Sequence, residues 1–190
     1  MIIAEFHDVL TAEECQALID HGSKSLKALT VIGTEEATKF RVGDGTWVYG
    51  SVMSPNGTDL NAKLKGIASK WSGLPVENQE SIHIVRYGVG GEYKDHHDFF
   101  HRGHDYERHL GRAGQRTHTV LFYLNEGFEG GETRFSKKNV SVTAKLGKML
   151  MWTNLKEDGE PDQDSLHAGL PVKAGVKWIA IVWVRQNKFG

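Results

Sequence analysis

From Pro75 onward the chain breaks into short strand-like runs, and their spacing limits the fold more than any other feature. The runs at 81–87, 92–98, 117–124, 131–135, 139–143, 148–152, 165–172 and 177–185 are separated by glycines and charges. Eight short strands at this interval point to a β-sandwich or barrel, here a jelly roll. Two helices come first. Thr11-Ala12-Glu13-Glu14 is a capping box opening a helix with Cys15, Leu18 and Ile19 as its apolar stripe and Gly22 as its stop. Thr58 or Asp59 caps a second helix, in which Leu60, Leu64, Ile67, Ala68 and Trp71 recur at helical spacing before Gly73 and Pro75 end it. The expected architecture is α+β, mainly β, with the helices packed on one outer face. One domain covers 1–190, with 1–75 as support and 76–186 as the jelly-roll core. Two stretches stand apart. Residues 31–53, glycine-rich around Trp47, read as a solvated loop or a lid, and residues 100–116 read as a polar excursion that is a plain loop or the rim of a mouth.

Composition excludes several functions. A net charge of −1 over 190 residues offers no basic surface for nucleic acid or anionic membrane. The most apolar stretch, 178–184, is far too short to span a bilayer, and Glu5, His7 and Asp8 stand where a signal peptide needs an apolar run. Cys15 is the only cysteine, so no intramolecular disulfide forms and a reducing, cytoplasmic location is expected.

The chemistry starts at His96-His97-Asp98. On a β-strand, residues two apart share a face, so His96 and Asp98 converge while His97 turns away. An imidazole and a carboxylate on one strand face are two thirds of the facial triad of non-haem iron oxygenases. His167 is the best third ligand, because it also lies on a strand and Ala168 and Gly169 beside it allow close backbone approach. His7, His21, His83, His101, His104, His109 and His118 read as surface or hydrogen-bonded histidines.

The run KWIAIVWVR adds a second clue. Alternation places Lys177, Ile179, Ile181, Trp183 and Arg185 on one face. If that face is interior, Lys177 enters a cavity and wants an anion, such as the far carboxylate of a dicarboxylate chelating a metal. The other reading is a lysine at a strand end that snorkels to solvent.

Several motifs together resemble the prolyl 4-hydroxylase-type branch of the Fe(II)- and 2-oxoglutarate-dependent dioxygenases. They are Tyr87-x8-His96-x-Asp98, Gln115-Arg116, Tyr123-Leu124, Gly130-Gly131-Glu132-Thr133-x-Phe135 and Leu166-His167-Ala168-Gly169-x-Pro171-Val172, with Lys177 ten residues after His167. A weaker echo lies in Arg41-Val42 and Thr46-Trp47. The resemblance implies a double-stranded β-helix with His96, Asp98 and His167 holding iron. It implies Lys177, Tyr87 and Thr133 at the distal carboxylate of 2-oxoglutarate, O2 as the oxidant and ascorbate as a candidate reductant. Tyr93, Arg116 and Trp183 match positions lining the family's substrate groove, and Trp47 is added as an aromatic that could close on substrate. The implied acceptor is a prolyl residue in a peptide or protein, hydroxylated at C4. Free amino acids or phosphorylated metabolites stand as the alternative acceptors, and the expected assembly is a monomer or homodimer. Ser136 departs from the family, which often has proline after that phenylalanine. A zinc hydrolase would leave Lys177 without a task, and a cupin-like metal-binding module would explain neither Lys177 nor Tyr87.

Overall fold

The computed structural model describes residues 1–29, 40–103 and 106–190. Its largest sheet has seven strands in the order β1 (Ile3–Phe6), β11 (Met149–Thr153), β7 (Arg116–Tyr123), β14 (Lys177–Arg185), β5 (Ile82–Tyr87), β4 (Asp44–Val48) and β2 (Lys27–Ala28). A second sheet orders β10 (Val140–Val142), β9 (Thr133–Phe135), β12 (His167–Gly169), β6 (Glu92–His96) and β3 (Arg41–Val42). The pair β8 (Glu129–Gly130) and β13 (Val172–Ala174) stands apart, and every pairing among the described residues is antiparallel. This is the expected mainly β jelly roll, or double-stranded β-helix.

Alternation along β14 organises both faces of the large sheet. Trp178, Ala180, Val182 and Val184 face one apolar cluster, which includes Cys15 and Leu18 of α1 (Ala12–Ser23) and Leu60, Leu64 and Ala68 of α2 (Leu60–Ser72). Ile179, Ile181 and Trp183 face the other, with Val85, Tyr87, Tyr123, Phe135 and Trp152. The helices therefore cover the outer face, and the inner face meets the smaller sheet.

The predicted caps form. Thr11 and Glu14 complete the capping box of α1. Asp59 accepts from Asn61 and Ala62 at the start of α2, and Gly73 ends it at φ 70°. Gly22 is not a stop. It lies inside α1, where an added Cβ would meet Ile84 Cγ2 at 2.7 Å, so glycine there serves close packing of helix on sheet.

The loop reading of 31–53 is also corrected. Residues 31–39 lie outside the described residues, but Trp47 sits on β4, paired in register with His83 of β5. Gly45 looked like a sign of loop, yet a Cβ there would come within 2.7 Å of His83 Nε2 and Leu29 Cδ2. Glycine lets the strand lie flat on its neighbour. Within 100–116, where 104–105 lie outside the described residues, the chain forms a short helix α3 (Tyr106–Leu110). Arg185 anchors its end, donating from Nη2 to the carbonyls of His109 and Leu110 at 2.7 and 2.9 Å.

Candidate metal and co-substrate site

Among the described residues, His96, Asp98 and His167 are the one group of ligand-bearing side chains whose donor atoms all lie within 4.8 Å of one another. β6 ends at His96, which pairs in register with His167 of β12, so strand pairing sets the two imidazoles side by side. The expected strand through residue 98 is therefore too long. His97 and Asp98 lie past its end, Asp98 in a bend. The face assignment nevertheless holds: His97 turns toward His101, 3.2 Å away, and toward the Gln163 carbonyl. Asp98 Oδ1 lies 3.7 Å from His96 Nε2, and Oδ2 lies 3.6 Å from His167 Nε2.

Both imidazoles have a fixed tautomer. His96 Nδ1 lies 2.7 Å from the Lys94 carbonyl and His167 Nδ1 lies 2.8 Å from the Ser165 carbonyl. A carbonyl only accepts, so each Nδ1 carries a proton and each Nε2 is the atom turned to the centre. Burial, reinforced by His167, pushes the His96 pKa well below the usual value, which keeps the ring neutral and fit to bind a metal. Burial alone would raise the Asp98 pKa. The neighbouring His167, His96 and Arg116, together with the Thr119 hydroxyl, hold it at about 2. Two imidazoles and one carboxylate suit a divalent ion of borderline softness.

Lys177 lies in the same cavity, opposite Tyr87 in the strand register and only 2% exposed. It does not snorkel. Its ammonium donates to the Gly131 carbonyl at 2.7 Å and lies 5.7 Å from the ring centres of both Tyr87 and Tyr123. Tyr87 and Thr133 line this end too, and the Thr133 hydroxyl is fixed 2.7 Å from Tyr123 Oη. Gly131, at φ 69°, leaves room, since a Cβ there would come within 3.2 Å of Lys177 Cδ. An ammonium has three donors, and one carbonyl engages only one of them, which leaves this end of the cavity receptive to an anion. The cavity thus has a metal-binding end and an anion-binding end, which fits a chelating dicarboxylate.

The tentative substrate residues separate. Tyr93 lines the cavity and stacks on His96 with ring centres 3.4 Å apart, and Trp183 lines it as well. Trp47 is one layer out, stacked on His83 at 4.3 Å and 6.0 Å from Trp183. Arg116 does not line the cavity. Its Nε and Nη2 are held by Glu80 at 2.7 and 2.8 Å, and its guanidinium lies over the Trp183 ring at 4.0 Å.

Four polar residues at or beside the site were given no role in it from the sequence. Arg41, from the edge strand β3, is buried in the cavity wall with Nε donating to Tyr87 Oη at 3.3 Å and Nη2 unpaired. His83 is buried between Trp47 and Trp183, and desolvation, with Arg41 and Arg116 nearby, lowers its pKa to about 3. Thr119 touches Asp98, and Asn154 touches Thr119. Arg41 carried a faint signal as part of a motif echo. The other three carried none, because each sits within or at the end of an apolar strand.

Two imidazoles and a carboxylate converging inside a jelly roll are the donor set of the non-haem iron oxygenases. The comparison with known families makes this specific: the chain belongs to the 2OG-Fe(II) oxygenase superfamily, whose profile matches residues 82–185. It is 32% identical over 190 residues to prolyl 4-hydroxylase subunit alpha-1 of Mus musculus, covering 97% of this chain and 34% of that protein. It is 31% identical to prolyl 4-hydroxylase 2 of Arabidopsis thaliana, covering 97% of this chain and 67% of that one. The chain therefore spans about a third of the length of the animal relatives it matches. The viral collagen prolyl hydroxylase of Paramecium Bursaria Chlorella virus-1, solved with 2OG, superposes with a TM-score of 0.74 at 25% identity, covering 97% of this chain and 96% of that one.

Proposed function

We propose that this protein is an Fe(II)- and 2-oxoglutarate-dependent dioxygenase that hydroxylates prolyl residues of a peptide or protein. The observation that carries the reading is Lys177, a buried ammonium with one carbonyl partner among the described residues, in one cavity with His96, Asp98 and His167. A metal-binding module of another kind gives that lysine nothing to bind.

His96 and His167 hold iron through Nε2, and Asp98 through a carboxylate oxygen. Lys177 holds the distal carboxylate of 2-oxoglutarate, with Tyr87 and Thr133 donating to it from their hydroxyls. Arg41 braces Tyr87 from behind. Leu121, Ile179 and Ile181 line the space between and exclude water from the reacting centre. When bound, iron with O2 supplies the oxidative decarboxylation of 2-oxoglutarate to succinate coupled to C–H hydroxylation, with ascorbate as a candidate reductant.

The prolyl substrate is supported by what the relatives are called and by two aromatic side chains lining the cavity, Tyr93 and Trp183. Residues 1–75 support this unit and 76–186 carry it. A cytoplasmic setting belongs to the same proposal, supported by the lone Cys15 thiol, whose pKa burial pushes up to about 11.

The test is aerobic turnover with Fe(II), 2-oxoglutarate and proline-rich or acidic-flanked proline peptides. Succinate release stimulated by peptide, with a gain of 16 Da on proline, is expected, as is loss of that stimulation in Trp183→Ala. Hydroxylation of a free amino acid or a phosphorylated metabolite, with no proline peptide modified, would overturn the prolyl assignment and leave the dioxygenase standing.

A further inference from the structure

We propose that Thr119 and Asn154 are positioning residues that make Asp98 a one-oxygen ligand and so keep a coordination position open for chemistry. The inference rests on the metal-site reading above. Four hydrogen bonds carry it. Asn154, fully buried, donates from Nδ2 to Thr119 Oγ1 at 2.9 Å, and Thr119, 1% exposed, donates from Oγ1 to Asp98 Oδ2 at 2.7 Å. The Asn154 backbone is fixed on both sides, its N–H donating to the Thr117 carbonyl at 2.8 Å and its carbonyl accepting from Asp162 N–H at 3.0 Å.

The relay has a direction. A hydroxyl has one proton, and the amide N–H of Asn154 already occupies a lone pair on Oγ1. The Thr119 proton is thereby turned to Asp98, where it engages Oδ2 and leaves Oδ1 without a hydrogen bond from the described residues.

The consequence follows from the distances around the carboxylate. Oδ1 lies 3.7 Å from His96 Nε2 and Oδ2 lies 3.6 Å from His167 Nε2, so an ion held between the imidazoles would have both oxygens in reach. A carboxylate binding through both would fill four positions of a six-coordinate ion from the protein alone. A chelating 2-oxo acid needs two positions and O2 one, so only a single-oxygen Asp98 leaves enough. The hydroxyl bond to Oδ2 disfavours the second contact. Thr119 and Asn154 thus act through Asp98.

The test uses the full chain loaded with Co(II), whose visible absorption reports coordination number, and titrates 2-oxoglutarate anaerobically. Thr119→Val keeps the shape and removes the donor, Thr119→Ser keeps the donor, and Asn154→Leu removes the amide that orients it. Thr119→Val should weaken 2-oxoglutarate binding about 10- to 100-fold, the range typical of lost outer-shell partners, and shift the Co(II) bands. Asn154→Leu should move both readouts the same way, and Thr119→Ser should restore both. A wild-type spectrum and wild-type 2-oxoglutarate affinity in Thr119→Val would overturn the proposal, as would equal loss in Thr119→Val and Thr119→Ser, which would mark a packing role. If the unaltered protein binds neither Co(II) nor 2-oxoglutarate, the metal-site reading itself falls.

Discussion

At Lys177 burial and charge oppose each other most directly. Desolvation lowers its pKa from 10.5 to about 8, against the pull of Glu132. Between those two values the unfolded chain binds more protons than the folded one, so this residue's contribution to stability improves as pH rises through the window. Co-substrate affinity runs the opposite way, because only the ammonium attracts a carboxylate. The dissociation constant of 2-oxoglutarate should therefore climb as pH passes about 8, and isothermal titration across pH 7 to 9 checks it. Lys177→Ala should weaken 2-oxoglutarate binding by roughly 2–5 kcal/mol and flatten that pH dependence, while metal affinity stays close to the original. The adjacent histidines give a sharper contrast. His96→Ala and His167→Ala should each abolish Fe(II) binding and succinate production, whereas His97→Ala, whose ring faces His101 and Gln163, should leave both near wild type. Metal titration of the three variants decides it.

Elements were legible where local periodicity sets burial. Alternation along β14 correctly divided Trp178 and Ala180 from Lys177 and Ile179, because a strand paired on both sides is straight and its two faces meet different layers. It overran at β6, since what closes that strand is the pairing of His96 with His167, a contact 71 residues apart that no local pattern encodes. Thr119 and Asn154 stayed hidden for the same reason: their partners lie 21 and 35 positions away. Glycine was the least readable residue, because one letter serves opposite purposes. In α1, Gly22 lets the helix touch Ile84, while in α2, Gly66 is exposed with nothing within 4 Å of an added Cβ. Gly22→Ala should therefore overpack the helix–sheet contact and cost about 1–3 kcal/mol. Gly66→Ala should stabilise by roughly 0.5–1 kcal/mol through its better helix propensity. Urea melts of the two variants should move in opposite directions; a shift of the same sign would mean the two helices do not differ as described.

Across the whole molecule, the site draws its metal ligands and its Lys177–Tyr87 pair from different sheets. His96 and His167 belong to the smaller sheet and Asp98 follows directly from it, whereas Lys177 and Tyr87 sit opposite each other in the seven-stranded one. A metal ion alone gathers ligands on one side of the cavity, linked to the large sheet by the Thr119 hydrogen bond to Asp98 and by the packing of His167 on Trp152. A dicarboxylate chelated at one end and held by Lys177 at the other spans both layers, so the ordering of the two sheets should depend on metal and co-substrate jointly. Ligands that bind only the folded state stabilise it by about 2.7 kcal/mol at a hundredfold excess over Kd. For a chain of this size each kcal/mol raises the melting temperature by roughly 2–4 °C. Anaerobic melts should thus show a rise with Mn(II) or Co(II), little change with 2-oxoglutarate alone, and a further rise of roughly 5–10 °C when 2-oxoglutarate joins the metal. In Lys177→Ala the increment from metal should survive and the one from 2-oxoglutarate should largely vanish. Should 2-oxoglutarate stabilise the metal-free protein as strongly as the loaded one, the carboxylate would be binding without chelation, and the two ends of the cavity would not act as one site.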